Sequence, residues 1–320
     1  MNRPTFHRAC AAVAATATGA VLLAACGGGG SDDGAARQAS GAPRSTAAAP
    51  KSTAPDQAAG AAFTAIHVGG PTTILKLGGA RLLIDPTFDE PKKYKSGLEK
   101  THGPAFGVDK LGRIDAVLLS HDQHDDNLDD SGRKLLKDIP VVYSTPGARK
   151  RLGAHITGMT NWQQQELKTP TGSITVTAVP ALHGPDGVSR GADGEVTGFV
   201  LSGKGVPTVY VSGDNASVKV AKEVGDRVKK EIGPIDTAVL FAGAARTPAI
   251  LKNAPLTLTS KNAALVVKEL NPRKVVAVHT DSWNIYSEDL GSLVKAFQEQ
   301  GVDGKLVDVR PDGTEKNLAG

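Results

Sequence analysis

The stretch LLSHDQHDDNLDD, residues 118–130, places two histidines and four aspartates between His121 and Asp129, directly after an apolar run. Imidazole and carboxylate together form a donor set for a divalent metal ion such as zinc. An ion held this way keeps a position for water and lowers its pKa to about 7, so hydroxide becomes available at neutral pH. Further candidates lie far along the chain. His67, His183 and His279 follow or lie within strand-like runs, and Asp214 closes VYVSGD. The only cysteines are Cys10 and Cys26. Both sit near the N-terminus, which excludes disulfides and thiolate ligands from everything after them.

These residues act together only if strands carry them to one place. FTAIHV, TTILKL and ARLLID predict three short strands in hairpins, the last ended by Pro86. Residues 87–110 are polar and rich in Gly and Lys, a long excursion. DAVLLSH predicts the strand that delivers His121, and LDDSGRKLLKDI has helical spacing. VVYST, SITVTAVPA, TGFVLS, PTVYVSG, DTAVLFAG, KVVAVHT and a final KLVDVR read as further strands. Helices are predicted at PGARKRLG, over 216–231, at TSKNAALVVKEL before Asn271-Pro272, and over about 287–300. Strands first, then strands alternating with helices, imply stacked sheets with helices outside. IDAVLLSH, IDTAVLFAG and RKVVAVHT each end in polar or small residues where a site can be built.

The N-terminus reads differently. MNRPTFHR carries Arg3 and Arg8, an apolar stretch runs from about Ala9 to Ala25, and LAAC follows. A basic start, a short apolar core and small residues describe a secretion signal, and Leu23–Cys26 resembles the bacterial lipobox. Residues 1–26 are therefore expected to be a lipoprotein signal with Cys26 lipidated. Residues 27–62, rich in Gly, Ala, Ser and Pro, form the expected disordered tether. Residues 63–320 form the expected globular domain. The expected location is the cell envelope, anchored on its periplasmic or extracellular face. No other segment approaches the ~20 apolar residues of a spanning helix. A formal charge of +4 without a concentrated basic stripe argues against a nucleic-acid partner.

The order of motifs resembles the metallo-β-lactamase superfamily, over about residues 63–312. HVGGPTTILKLGGARLLIDP, His67–Pro86, looks like that family's opening segment. HDDNLD, His124–Asp129, is similar to the second half of its HxHxDH metal motif; His183, Asp214 in SGD and His279 follow in the family's order. The resemblance implies a four-layer αββα sandwich of two β-sheets flanked by helices. It implies a metal-dependent hydrolase using metal-bound hydroxide on a small-molecule ester, lactone, amide or phosphodiester. The cofactor would be one or two divalent ions, Zn first, with Mn or Fe as alternatives. His121, His124 and His183 would hold the first ion, Asp214 would bridge, and Asp126 with His279 would hold the second.

The match departs from the family at two positions. Asp122 occupies the strict place of the first histidine, with His121 one residue earlier, so either could be the first ligand. Asn127 stands where a histidine is expected, and an amide oxygen is a poorer ligand for zinc than imidazole. The second site is then weakened, or a single-metal centre uses Asp126 as general base. A non-catalytic binding lipoprotein on the same scaffold is the alternative reading. His67 can support the site from behind; Arg246, Trp283 and Tyr286 are candidates to touch substrate. Asp85 in LIDP reads as the cap of a turn before Pro86. GVSRG at Gly187–Gly191 matches GxSxG, but no strand-to-helix turn surrounds Ser189 to make it a nucleophile.

Overall fold

Alternation with period two along the strands decides which side chains face which layer. A computed structural model describes residues 62–189 and 194–320. The expected export signal, Cys26 and all but the last residue of the expected tether lie outside the described residues. β1 (Thr64–Gly69), β2 (Thr72–Leu77) and β3 (Ala80–Ile84) pair antiparallel as two hairpins. A short ladder, β4 (Lys92–Lys93) with β5 (Glu99–Lys100), lies in the polar excursion. β6 (Ala116–Leu118), β7 (Val142–Ser144) and β8 (Ile156–Gly158) then extend the first sheet in parallel. The connections hold α1 (Asp130–Leu135) and α2 (Pro146–Leu152).

The second sheet begins with β9 (Gln164–Thr169), β10 (Gly172–Pro180), β11 (Thr197–Gly203) and β12 (Val206–Val211), all antiparallel. α3 (Val218–Glu231), β13 (Thr237–Phe241), α4 (Ser260–Leu270) and β14 (Lys274–Val278) follow, with β12, β13 and β14 parallel. After α5 (Leu290–Glu299), β15 (Glu315–Asn317) returns to pair with β1. The strand orders are β15-β1-β2-β3-β6-β7-β8 and β14-β13-β12-β11-β10-β9.

Leu75, Leu82 and Leu118 meet Val209, Phe241 and Val276 in one cluster between the sheets. Their neighbours Ile74, Leu83 and Val117 face the other way, into a cluster with Leu128 and Leu135. On the second sheet Tyr210, Leu240 and Val275 pack on Val224 of α3, Val267 of α4 and Phe297 of α5. Three apolar interfaces separate four layers, helix–sheet–sheet–helix, as the sequence predicts. Among the described residues, no helix is long and apolar enough to cross a membrane.

The last predicted strand is corrected. KLVDVR contributes a single bridge, Leu306 to Val275, after a one-turn helix at Asp303–Lys305. Its exposed Asp308 and Arg310 leave it outside the ladder, and β15 takes the edge position. Neither β8 nor β9 was predicted: β9 is the polar QQELKT, of which only Leu167 is buried.

Candidate metal centre

Four of the predicted positions lie within three residues of the ends of buried strands: His121 after β6, His183 after β10, Asp214 after β12 and His279 after β14. The loop after β6 is pinned at both ends. Ser120 donates from its amide to Asp85 Oδ1 at 2.6 Å, and its carbonyl accepts from the Thr197 amide. At the far end Asp129 caps α1, accepting from the Gly132 amide at 2.8 Å. Its other oxygen accepts from the Asp89 amide and from Lys100 Nζ, 3.2 Å away. Lys100 and Asp129 are both buried; burial pushes the lysine down and the aspartate up against their mutual attraction. Backbone crowding fixes two further ligands' neighbours. Gly213, at φ 54, lies where a Cβ would meet the Thr197 carbonyl at 2.6 Å, and a Cβ on Gly243 would collide with the carbonyl of His279.

His121 Nε2 lies 2.9 Å from His124 Nδ1, and His183 Nε2 lies 3.2 Å from the same atom. Asp214 Oδ2 is 3.3 Å from His183 Nε2. Ligand atoms of these four residues lie within 4.8 Å of one another; so do those of Asp126, Asp214 and His279. Asp214 thus belongs to both groups. His279 Nε2 sits 3.3 Å from Asp126 Oδ2 and 3.5 Å from Asp214 Oδ1, in ion-pair range but not aligned for a hydrogen bond.

Two tautomers follow from the hydrogen bonds. Ser120 Oγ donates to Asp85 Oδ2 at 2.5 Å, so it accepts from His121 Nδ1 at 2.9 Å. A backbone carbonyl only accepts, so His183 Nδ1 donates to the Leu256 carbonyl at 2.7 Å. The Nε2 lone pairs of both rings therefore point at His124 Nδ1. One shared proton cannot satisfy three converging nitrogens, whereas a divalent cation can, and three histidines with a carboxylate match a zinc donor set. The residues fit the ion.

Charge agrees with this. Burial, then the neighbouring histidines and Arg151, hold His121 well below its ordinary pKa, in the neutral form that binds metal. Burial opposes ionisation of Asp126, but His279, His124 and His183 outweigh it and keep its carboxyl low. His279 is raised: burial disfavours its cation, but Asp214 and Asp126 dominate.

The two departures from the motif acquire distinct roles. Asp122 is not turned to the cluster. Arg151 of α2 grips it through two nitrogens, Nε to Oδ2 at 2.8 Å and Nη2 to Oδ1 at 2.5 Å, and Arg133 donates to its carbonyl. His121, not Asp122, joins the group. Asn127 points its amide nitrogen at Asp85 Oδ2 (3.1 Å) and Asp214 Oδ1 (3.0 Å). It stands behind Asp214 as a strut and offers that carboxylate a donor. Its Oδ1 is buried without a hydrogen-bond partner.

Asp85 is more than a turn cap. Fully buried, it receives Ser120 twice and Asn127 once, linking His121 to Asp214 through four hydrogen bonds. Burial first, then the charge of Asp214, raises its carboxyl to about 7 against those hydrogen bonds.

The remaining candidates divide. Tyr286 is at the centre: its hydroxyl donates to Asp126 Oδ2 at 3.2 Å, and its ring lies 4.1 Å from that of His279. His67 is outside both groups. Its Nε2 donates to the Gly70 carbonyl at 2.9 Å, and that carbonyl also accepts the His279 amide, so it steadies His279 through the turn. Trp283 is buried against Gly70, Tyr94 and Lys100 and is not among the residues that line the cavity above the cluster. Arg246 Nε donates to Ser287 Oγ and its Nη1 to the Asn253 carbonyl at 2.7 Å. Ser189 is exposed and follows a turn.

That cavity has a volume of about 110 Å³, with His124, His183, Asp126 and Asp214 in its floor. Leu98, Ile250, Leu256 and Ile285 form walls that the sequence did not announce as functional. Between Ile250 and Leu256 three consecutive residues, Leu251, Lys252 and Asn253, are left-handed, with φ of 45, 56 and 62°. Three larger cavities, of about 230, 410 and 480 Å³, touch none of the clustered residues.

Four layers enclosing a histidine–aspartate cluster at strand ends define the class of the metallo-β-lactamase-like proteins. The chain belongs to the family described as the beta-lactamase superfamily domain, whose profile matches residues 80–280. It is 28% identical over 216 residues to a UPF0173 metal-dependent hydrolase of Anaeromyxobacter sp. strain K, covering 63% of this chain and 68% of the relative. A UPF0173 metal-dependent hydrolase of Pyrococcus abyssi is 30% identical over 214 residues, covering 64% and 82%. The isothiocyanate hydrolase from Delia radicum gut bacteria shares the fold, with TM-score 0.65, 21% identity, and coverage of 81% and 100%.

Proposed function

We propose that this chain is a metal-dependent hydrolase whose first ion is held by His121, His124 and His183, with Asp214 shared toward a second position made by Asp126 and His279. The observation that carries the reading is the convergence of three ring nitrogens, two of them in tautomers fixed from behind by Ser120 and the Leu256 carbonyl. Bound there, a divalent ion supplies a water of lowered pKa and polarises the substrate's oxygen. Zinc suits the first set best; the second set gains no donor from Asn127 and is the weaker.

The chain's own residues do the rest. With only the first ion bound, Asp126, ionised and lining the cavity, would accept the proton of the attacking water and return it to the leaving group. The Tyr286 hydroxyl holds Asp126 Oδ2 in place. Asn127 and Asp85 orient Asp214 and His121. The bond attacked belongs to an ester, lactone, amide or phosphodiester.

The test is metal content with activity. Purified protein should carry about one equivalent of zinc bound tightly, consistent with three histidine ligands. Asp126→Ala and His183→Ala should abolish turnover, with the circular dichroism spectrum kept. Metal-free protein that hydrolyses as fast as loaded protein overturns the reading. Export and the lipid anchor at Cys26 are further proposals, resting on the N-terminal sequence.

A further inference from the structure

We infer that the centre is built for a small substrate with a short, uncharged hydrocarbon substituent on the reacting bond, rather than for one carrying a carboxylate or other anion outside that bond. This rests on the hydrolase reading above. Size comes first. At about 110 Å³ the cavity over the cluster is well below the roughly 300–1,000 Å³ of usual small-molecule sites. Wall chemistry comes second. Leu98, Ala245, Ile250, Leu256 and Ile285 are aliphatic, and Leu256 is fixed because its carbonyl holds His183. Ser96, Gln123 and Thr247 are the polar additions, none of them charged.

Charge decides the rest. Among the described residues, no lysine or arginine lines the cavity, while Asp126 and Asp214 do. Arg246 lies between the lining residues Ala245 and Thr247, yet its guanidinium is spent on Ser287 and the Asn253 carbonyl. An anionic group outside the reacting bond would exchange water for aliphatic walls with no counter-charge, a large desolvation cost. A short alkyl group there loses nothing and gains burial.

The experiment uses the metal-reconstituted full chain. Values of kcat/KM for methyl 4-methylpentanoate are compared with those for monomethyl succinate, its carboxylate-bearing isostere. Separately, binding of 4-methylpentanohydroxamate and of succinic monohydroxamate to cobalt-substituted protein is read from the visible spectrum, without turnover. The expected result is a preference of about 100-fold or more for the alkyl ester, and tighter binding of the alkyl hydroxamate, as desolvation of an unpaired charge dictates. Ile250→Lys should lower the alkyl-ester rate about tenfold or more and raise the rate with monomethyl succinate, because a cation then enters the wall. Its fold is checked by thermal melting; Thr247→Lys serves if Ile250→Lys melts early. Equal or better use of monomethyl succinate, or tighter binding of its hydroxamate, overturns the inference and leaves the hydrolase reading standing. Failure to bind cobalt together with no hydrolysis of any substrate overturns both.

Discussion

His121 and His183 are each held from behind by an acceptor, Ser120 Oγ and the Leu256 carbonyl. The acceptor behind His121 is itself oriented by Asp85, which makes that aspartate the most consequential residue outside the cluster. Asp85→Ala frees Ser120 and Asn127 together. The expected loss of metal affinity is about 10–100-fold, the usual effect of losing a supporting hydrogen bond, read by competition with a chromophoric chelator. Asp122→Ala should leave metal affinity nearly unchanged, because that side chain is spent on Arg151. The histidines and aspartates themselves were legible in the sequence, because polar residues at the ends of buried strands have few structural reasons to be there. Asp85 was not: an aspartate before proline reads as a turn residue, and nothing local tells that its carboxylate is turned inward. The choice between His121 and Asp122 needed Arg151, which is contributed by another element.

The loop that presents the centre is held by elements as well as by residues. α1 has only six residues, too few to be stable alone, and its cap Asp129 ties it to Lys100 in the excursion before β6. Lys100→Met leaves that carboxylate buried without its cation and should cost about 3–5 kcal/mol, measured by urea unfolding. Asp89, which binds the start of α1 through Ser131, gives the pH dependence. Burial raises its carboxyl, but hydrogen bonds from Lys92, Ser131 and Tyr94 outweigh that and lower it to about 2. Its folded value lies below its unfolded one, so its contribution is present above about pH 4 and lost as pH falls toward 2. The stability gap between the chain and Asp89→Asn should close over that window. Strands buried on both faces, such as TTILKL and DTAVLF, were legible as short apolar runs, because successive residues enter cores on opposite sides of the sheet. β9 was not, since QQELKT pairs at a sheet edge with little burial, and KLVDVR alternates without joining a ladder.

For the whole molecule, the described unit carries the fold and the cluster, and the proposal of a lipid anchor rests on the N-terminal sequence alone. Cys26→Ser should release the protein from the membrane fraction and abolish incorporation of labelled palmitate, while hydrolysis in the soluble fraction persists. Retention of both membrane association and label in that variant rules the anchor out. The architecture was legible as stacked sheets because hairpins precede the strand–helix alternation. The return of β15 to the first sheet was not, since a three-residue edge strand of polar residues has no pattern of its own.

The left-handed run at Leu251, Lys252 and Asn253 joins two wall residues of the cavity, Ile250 and Leu256, by a strained segment. Each of these L-residues holds a handedness its chirality opposes by roughly 1–2 kcal/mol. Arg246 bolts the run down at the Asn253 carbonyl, and Ile250 and Leu256 anchor it on either side. The connection between the two walls is thus loaded like a spring held at both ends. Lys252→Gly removes one residue's share of that load, and the variant should melt at a higher temperature than the parent chain.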